Sequence, residues 1–161
     1  YVGLKFFNVY GPNEYHKGLM KSVVAQKYPL AELGKPVTLF KSHRSDWEDG
    51  KQQRDFIFVR DCSDVMLWLF DNPKVTGLFN LGSGQARSFV DMAAALFSAL
   101  GKAPQIEFID MPHHIQDKYQ YFTEAEMSNL RSAGYVAPFT SLEAGISDYV
   151  SKFLATNDPY L

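Results

Sequence analysis

The stretch that most limits the fold lies at the start of the chain. Val2 to Val9 is apolar, β-branched and aromatic in composition, and Gly11-Pro12 follows almost at once. Such a run has the makeup of a buried strand. Pro lacks a backbone N–H and Gly accepts turn dihedrals, so the pair stops the strand. Just before the stop stands the polar Asn8, and beyond it His16, Lys17 and Gly18. Ligands of α/β proteins collect beyond the carboxyl ends of strands, so a buried strand that runs into a His- and Lys-bearing loop is a site architecture. On the residues alone a second reading stands beside it: an ordinary strand and turn, with Asn8 bonding its own backbone.

The remaining chain alternates short strands with about five helices, an α/β pattern. Lys17 to Leu33 opens with helical spacing at Leu19, Met20, Val23 and Val24. Pro29 is expected to kink or end its first piece, and Gly34-Lys35-Pro36 to close it. Val37 to Phe40 reads as a short strand, Lys41 to Gln53 as a charged, mobile loop, and Asp55 to Val59 as a short strand. Asp61 to Phe70 reads as a helix with Asp61 as N-cap and an inward stripe of Val65, Met66, Leu69 and Phe70. Leu78 to Leu81 is a buried strand turned by Gly82-Ser83-Gly84. Ser88 caps a helix over Phe89 to Leu100, with Asp91 at its third position and Gly101 at its end. Gln105 to Ile109 is a strand, and Met111 to Phe122 a loop. Thr123-Glu124-Ala125-Glu126 has the form of a capping box that opens a short helix. A last helix, capped by Ser141 or Thr140, turns Leu142, Ile146, Tyr149, Val150 and Phe153 inward, and residues 157–161 read as a frayed tail.

At 161 residues, 46% of them hydrophobic, the chain is one domain's worth and long enough to bury a core. A net charge of −2 gives no general drive toward nucleic acid or an anionic membrane, although local basic residues can bind phosphate. The single cysteine, Cys62, forms no internal disulfide and reads as a packed thiol in an amphipathic helix. No run reaches the length of a membrane span and the first residues do not read as a signal peptide, so the cytoplasm is the expected compartment.

Four stretches carry a resemblance: Phe7-Asn8-Val9-Tyr10-Gly11-Pro12 with His16-Lys17-Gly18, Met20 and Ser22; Arg54 to Val59; Phe79-Asn80-Leu81-Gly82; and Tyr119-Gln120 leading to Phe122-Thr123. In this order they resemble the extended short-chain dehydrogenases/reductases that act as nucleotide-sugar epimerases and dehydratases, and among these the ADP-L-glycero-D-manno-heptose 6-epimerases of lipopolysaccharide-core synthesis. The likeness runs from about residue 2 to about residue 153. Full-length members carry an N-terminal Rossmann domain with a glycine-rich dinucleotide loop and a Tyr-x-x-x-Lys pair, neither of which is present in usable form. The resemblance therefore implies the C-terminal, substrate-binding part of such an enzyme. Residues 1–10 would be the last strand or strands of the Rossmann half and residues 11–156 the substrate domain. The piece alone would be inactive and would expose an apolar face where the other half packs. Full-length members imply a homo-oligomer.

The same resemblance assigns roles. Lys17 is the proton-transfer residue and also meets the cofactor. A Lys serves as acid or base when burial lowers its pKa, and the alternative is a solvated Lys after a turn. The implied reaction passes hydride from C6 of the heptose to NADP and returns it to the opposite face. Asn8 matches a substrate-contacting Asn, Val9 a position against the nicotinamide, and Gln26 a substrate-contacting His. Arg54 is the implied diphosphate clamp, since guanidinium offers a planar fork to phosphate oxygens, or else a surface Arg paired with Asp55. Phe40 stacks on adenine or merely ends a strand, and Tyr119 touches substrate or is a buried aromatic. Lys41, Ser42 and His43 occupy nucleotide-contacting positions but depart from the family's Glu-Gly-Ser, and an acidic stretch Asp46-Trp47-Glu48-Asp49-Gly50 follows. Leu19 replaces a polar Ser, which removes one contact.

Three look-alikes are set aside. Tyr1-Val2-Gly3-Leu4-Lys5 spells Tyr-x-x-x-Lys on a strand, where the two side chains stand ~13 Å apart. Gly82-Ser83-Gly84 lacks the third glycine of a dinucleotide loop, where Arg87 stands, and reads as a structural turn. The adjacent His113 and His114 face apart, with no further ligand at metal-binding spacing. Two other readings remain: a related enzyme of UDP- or dTDP-sugars, and a sugar-nucleotide-binding module without catalysis.

Overall fold

The computed structural model describes residues 1–157 and Tyr160; residues 158, 159 and 161 of the expected tail lie outside the described residues. The opening run is two strands, not one: β1 (Val2–Phe6) and β2 (Asn8–Tyr10). The break falls at Phe7, where the Val9 amide donates to the Phe7 carbonyl and closes a three-residue turn. The two strands then join different sheets. β1 pairs in parallel with β5 (Gly77–Leu81), Val2 opposite Gly77 and Phe6 opposite Leu81. β2 pairs in parallel with β4 (Gln53–Phe58), whose other edge pairs antiparallel with β6 (Ala86–Ser88), a strand with no sequence signal of its own. A third sheet joins β3 (Val37–Phe40) in parallel to β7 (Ile106–Ile109).

Strand β4 divides two cores. Side chains alternate across a strand, so Phe56 and Phe58 face one side and Ile57 the other. Phe56 and Phe58 pack with Tyr10 against α1 (Val23–Glu32), α3 (Phe89–Ala99) and α6 (Leu142–Tyr149). Ile57 joins Phe79, Leu81 and Leu130 beneath α2 (Val59–Asp71) and α5 (Ser128–Ser132). The inward residues expected of the last helix, Leu142, Ile146, Tyr149, Val150 and Phe153, are all buried; α6 passes into a wider π-type turn, Val150–Leu154. Close approach fixes Gly145 in α6, since a Cβ there would strike the Tyr10 hydroxyl.

Several local expectations change. Pro29 sits inside α1 without ending it, because the helix continues through Glu32 on its buried face of Val24, Ala25, Tyr28 and Ala31. Asp61 lies in the first turn of α2 rather than at its cap, and its carboxylate accepts from the Thr140 amide at 2.9 Å and the Thr140 hydroxyl at 2.7 Å. On the α2 stripe Val65 is buried, but Met66 and Phe70 are exposed. Thr123 opens no helix: α5 begins at Ser128, the Ala125 amide donates to Asp55, and the Glu124 carboxylate accepts from Ala86. The loop 111–122 contains a short α4 (His113–Gln116). The Ser88–Asp91 capping box of α3 forms as expected, both reciprocal bonds at 3.0 Å. Among the described residues no helix is long and apolar enough to cross a membrane.

Candidate functional site

Two cavities lie side by side against α1, and Val23 stands in the wall of both. The first, of about 340 Å³, is lined by Asn8 and Val9 from β2 and by Lys17 from the 3-10 segment Tyr15–Met20 that follows the Gly11-Pro12 turn. Asn8 is exposed at the cavity wall and Val9 half-buried. Gly18 takes a left-handed φ of 55°, which reverses the chain directly after Lys17. The loop is pinned at both ends. At its base the buried Glu14 carboxylate accepts from the Ser22 amide, from the Ser22 hydroxyl at 2.6 Å and from the Tyr149 hydroxyl at 2.9 Å. Burial, and then the Glu14 charge, push the Tyr149 phenol well above its ordinary pKa. At the far end Gln26 Nε2 donates to the carbonyls of Leu19 at 3.2 Å and Lys21 at 2.8 Å.

Lys17 thus shares a cavity with Asn8 and Val9, but it is exposed, where the sequence argument asks for burial. Leu19 beside it is almost fully solvent-exposed.

The second cavity, of about 370 Å³, gathers Gln26, Phe40, Arg54 and Tyr119 from four segments distant in sequence. Phe40 and Tyr119 meet edge to face with ring centres 6.2 Å apart. The Arg54 guanidinium lies 5.1 Å from the centre of the Tyr119 ring and 5.6 Å from that of Phe89, and its Nη1 donates to the Gln53 carbonyl at 2.8 Å. Burial lowers the Arg54 pKa, and among the described residues no carboxylate pairs with it. The surface pair with Asp55 does not form. Asp55 faces the opposite side of β4, where it is fully buried and accepts from the Ser83 amide (2.6 Å), the Ser83 hydroxyl (2.7 Å) and the Gly84 and Ala125 amides (2.9 Å each). Those bonds also define the Gly82-Ser83-Gly84 turn: the Ser83 and Gly84 amides are occupied by Asp55, and a Cβ at Gly82 would sit 2.6 Å from the Asp55 carboxylate.

Lys41, Ser42 and His43 line neither cavity. Lys41 pairs with Asp110 at 3.0 Å. The Ser42 hydroxyl, the His43 amide and His43 Nδ1 converge on the buried Tyr121 hydroxyl at 3.1, 2.9 and 2.9 Å. The physical reason is that a buried phenol needs partners, and this loop, held by Asp49 at the Ser42 amide, supplies them. The loop expected to be mobile is therefore bonded along its length, with Gln52 buried at its end. Sequence reasoning passed over Glu14, Tyr121 and Lys27. Each is an isolated polar residue whose neighbours are supplied by remote segments, and only the charge of Glu14 three residues before Lys17 gave a hint.

The fold has counterparts in known proteins. A family model described as the NAD dependent epimerase/dehydratase family matches residues 1–82. A Nitratidesulfovibrio vulgaris protein named ADP-L-glycero-D-manno-heptose-6-epimerase is 52% identical over 162 residues, which take in 99% of this chain and 50% of that protein. A Fusobacterium nucleatum protein of the same name is 46% identical, again over 99% of this chain and 50% of its own. The crystal structure of the Helicobacter pylori ADP-L-glycero-D-manno-heptose-6-epimerase superimposes with a TM-score of 0.74 at 31% identity, covering 94% of this chain and 43% of that one. The chain thus spans about half the length of the curated relatives it matches. With more than half of its residues matched, from β1 through the Gly82 turn, the chain belongs to the NAD dependent epimerase/dehydratase family.

Proposed function

We propose that this chain supplies the sugar-nucleotide site of an ADP-L-glycero-D-manno-heptose 6-epimerase, which inverts C6 of the heptose in lipopolysaccharide-core synthesis. The observation that carries this reading is the pair of cavities meeting at Val23. One holds an amine and a carboxamide, Lys17 and Asn8, and the other a guanidinium among aromatic rings. A sugar nucleotide has the same two ends. The nucleoside diphosphate lies in the second cavity, with Arg54 on the phosphates and Phe40 and Tyr119 against the base or ribose. The sugar lies in the first, where Asn8 orients it by hydrogen bonds and Lys17 moves the proton of the C6 hydroxyl. Gln26, bonded to the Lys17 loop from the wall of the nucleotide cavity, positions that loop.

Bound NADP would supply the acceptance of hydride from C6 and its return to the other face. Of the described residues Val9 offers the half-buried apolar surface such a ring needs, and Lys17 lies in the same cavity. The Ser83 and Gly84 amides, taken by Asp55, are not free for a pyrophosphate. The cofactor's diphosphate belongs to the remaining half of the protein. On this reading residues 1–10 are the last strands of that half and residues 11–156 the substrate part, from which β5 packs back on it through its pairing with β1. Parallel sheets are ordinarily covered on both faces, whereas Val2, Phe6 and Leu78 of this pair are exposed. The full protein acts in the cytoplasm as an oligomer of identical subunits.

The test is Lys17→Met in the full-length protein. Epimerisation falls by about 10²-fold or more while ADP affinity stays within a factor of about two. Unchanged turnover removes Lys17 from the mechanism, and a calorimetric preference for UDP over ADP removes the heptose assignment.

A further inference from the structure

We propose that Lys27 is a second phosphate-binding cation of the nucleotide cavity, set beside Arg54 to hold the diphosphate of a nucleoside diphosphate, with Thr38 as its positioning partner. The inference rests on the reading of the second cavity as a nucleotide site and adds a residue to it.

Lys27 lies one helical turn beyond Val23 on the same face of α1, and it lines the second cavity together with Arg54. Its Nζ donates to Thr38 Oγ1 at 2.9 Å, a neutral acceptor on β3. An ammonium has three donors, so two remain for a ligand. Among the described residues no carboxylate pairs with it. A helical lysine ordinarily extends into water; this one is half-buried against β3, and burial lowers its pKa. Arg54 in the same cavity is in the same condition, half-buried and without a counter-charge.

Two partly desolvated cations among Val23, Leu39, Phe40 and Phe89 are unfavourable unless an anion joins them. A diphosphate matches them in charge, with oxygens for the planar fork of Arg54 and for the point charge of Lys27. A base edge would match neither charge. Thr38 keeps the ammonium turned inward rather than out along the helix surface.

Calorimetry on the full-length protein saturated with NADP, with ADP, adenosine and inorganic diphosphate as probes, tests the assignment. Lys27→Met weakens ADP and diphosphate by about tenfold or more and leaves adenosine within about twofold. Lys27→Arg, which keeps the charge, stays within about threefold of the native affinity for ADP. Thr38→Val gives a smaller loss of the same pattern. The ligand-free Lys27→Met protein melts no lower than the native one, because a half-buried cation has been replaced by an apolar side chain of similar length. A purely structural tie between α1 and β3 would lower that melting temperature and spare ADP, and this result overturns the proposal. Equal losses for ADP and adenosine overturn it as well. If Lys27→Met binds ADP normally while Arg54→Gln does not, Lys27 is excluded and the nucleotide reading stands. If the native protein binds none of the three probes at millimolar concentration, both fail together.

Discussion

At the scale of single residues, Asp55 does the most. Its carboxylate takes the amides of Ser83, Gly84 and Ala125 and the Ser83 hydroxyl, joining β4 to two loops from elsewhere in the chain. Asp55→Ala leaves those buried amides without an acceptor and is expected to cost about 3 kcal/mol, read as a lower urea midpoint with an unchanged slope. Asp55→Asn retains part of the bonding and falls between. The Asp55 result also shows where sequence reasoning reaches. The resemblance led Phe40, Arg54 and Tyr119 to be expected in one site, and the fold brings all three to one cavity. Lys41, Ser42 and His43 were legible only by position, and the Tyr121 hydroxyl draws Ser42 and His43 away. Glu14 and Lys27 were not legible, since nothing in the neighbouring sequence says that Tyr149 or Thr38 will face them.

Elements follow local signals where no remote group competes for the same atoms. The Ser88–Asp91 box forms because both partners are local. Ser88→Ala should therefore cost about 1 kcal/mol, measured as loss of thermal stability with the fold retained. The equally good box at Thr123 fails because Asp55 takes the Ala125 amide and Ala86 donates to Glu124. Asp61 is diverted in the same way by Thr140. The opening run shows another kind of override. Composition gives one strand over Val2 to Val9, but the pairings to β5 and to β4 cut it at Phe7. Composition marks extended backbone; it does not say which neighbour each half will choose.

For the molecule as a whole, β4 separates two cores, and Cys62 belongs to the smaller one. Burial, then the nearby Asp61 charge, push its thiol up to about 12, so the folded protein keeps it protonated at pH 8. A thiol-alkylating reagent should leave Cys62 unmodified at pH 8 and react only once urea unfolds the chain. The sign of the linkage is fixed by the raised value. This thiol favours the native state fully below its unfolded pKa, and the contribution is lost as pH rises from about 9 toward 12. Outside the cores, Val2, Phe6, Met66, Phe70 and Leu78 leave apolar surface open around β1, β5 and α2. The 161-residue chain by itself is expected to self-associate with rising concentration in sedimentation velocity and to bind an apolar dye. A sharp monomer with no dye signal would show that these residues need no cover.

The shared wall at Val23 works as a ruler. A molecule that touches Lys17 with one end and Arg54 with the other must lie across that side chain, so its length is gauged at a place that makes no chemical contact with either end. On the proposed reading a free nucleotide would reach one side of the divide and a free sugar the other, and only their covalent union would span it. On that reading, recognition of the joined compound over its parts would be built into the spacing of a helix and two strands, before any hydrogen bond is counted.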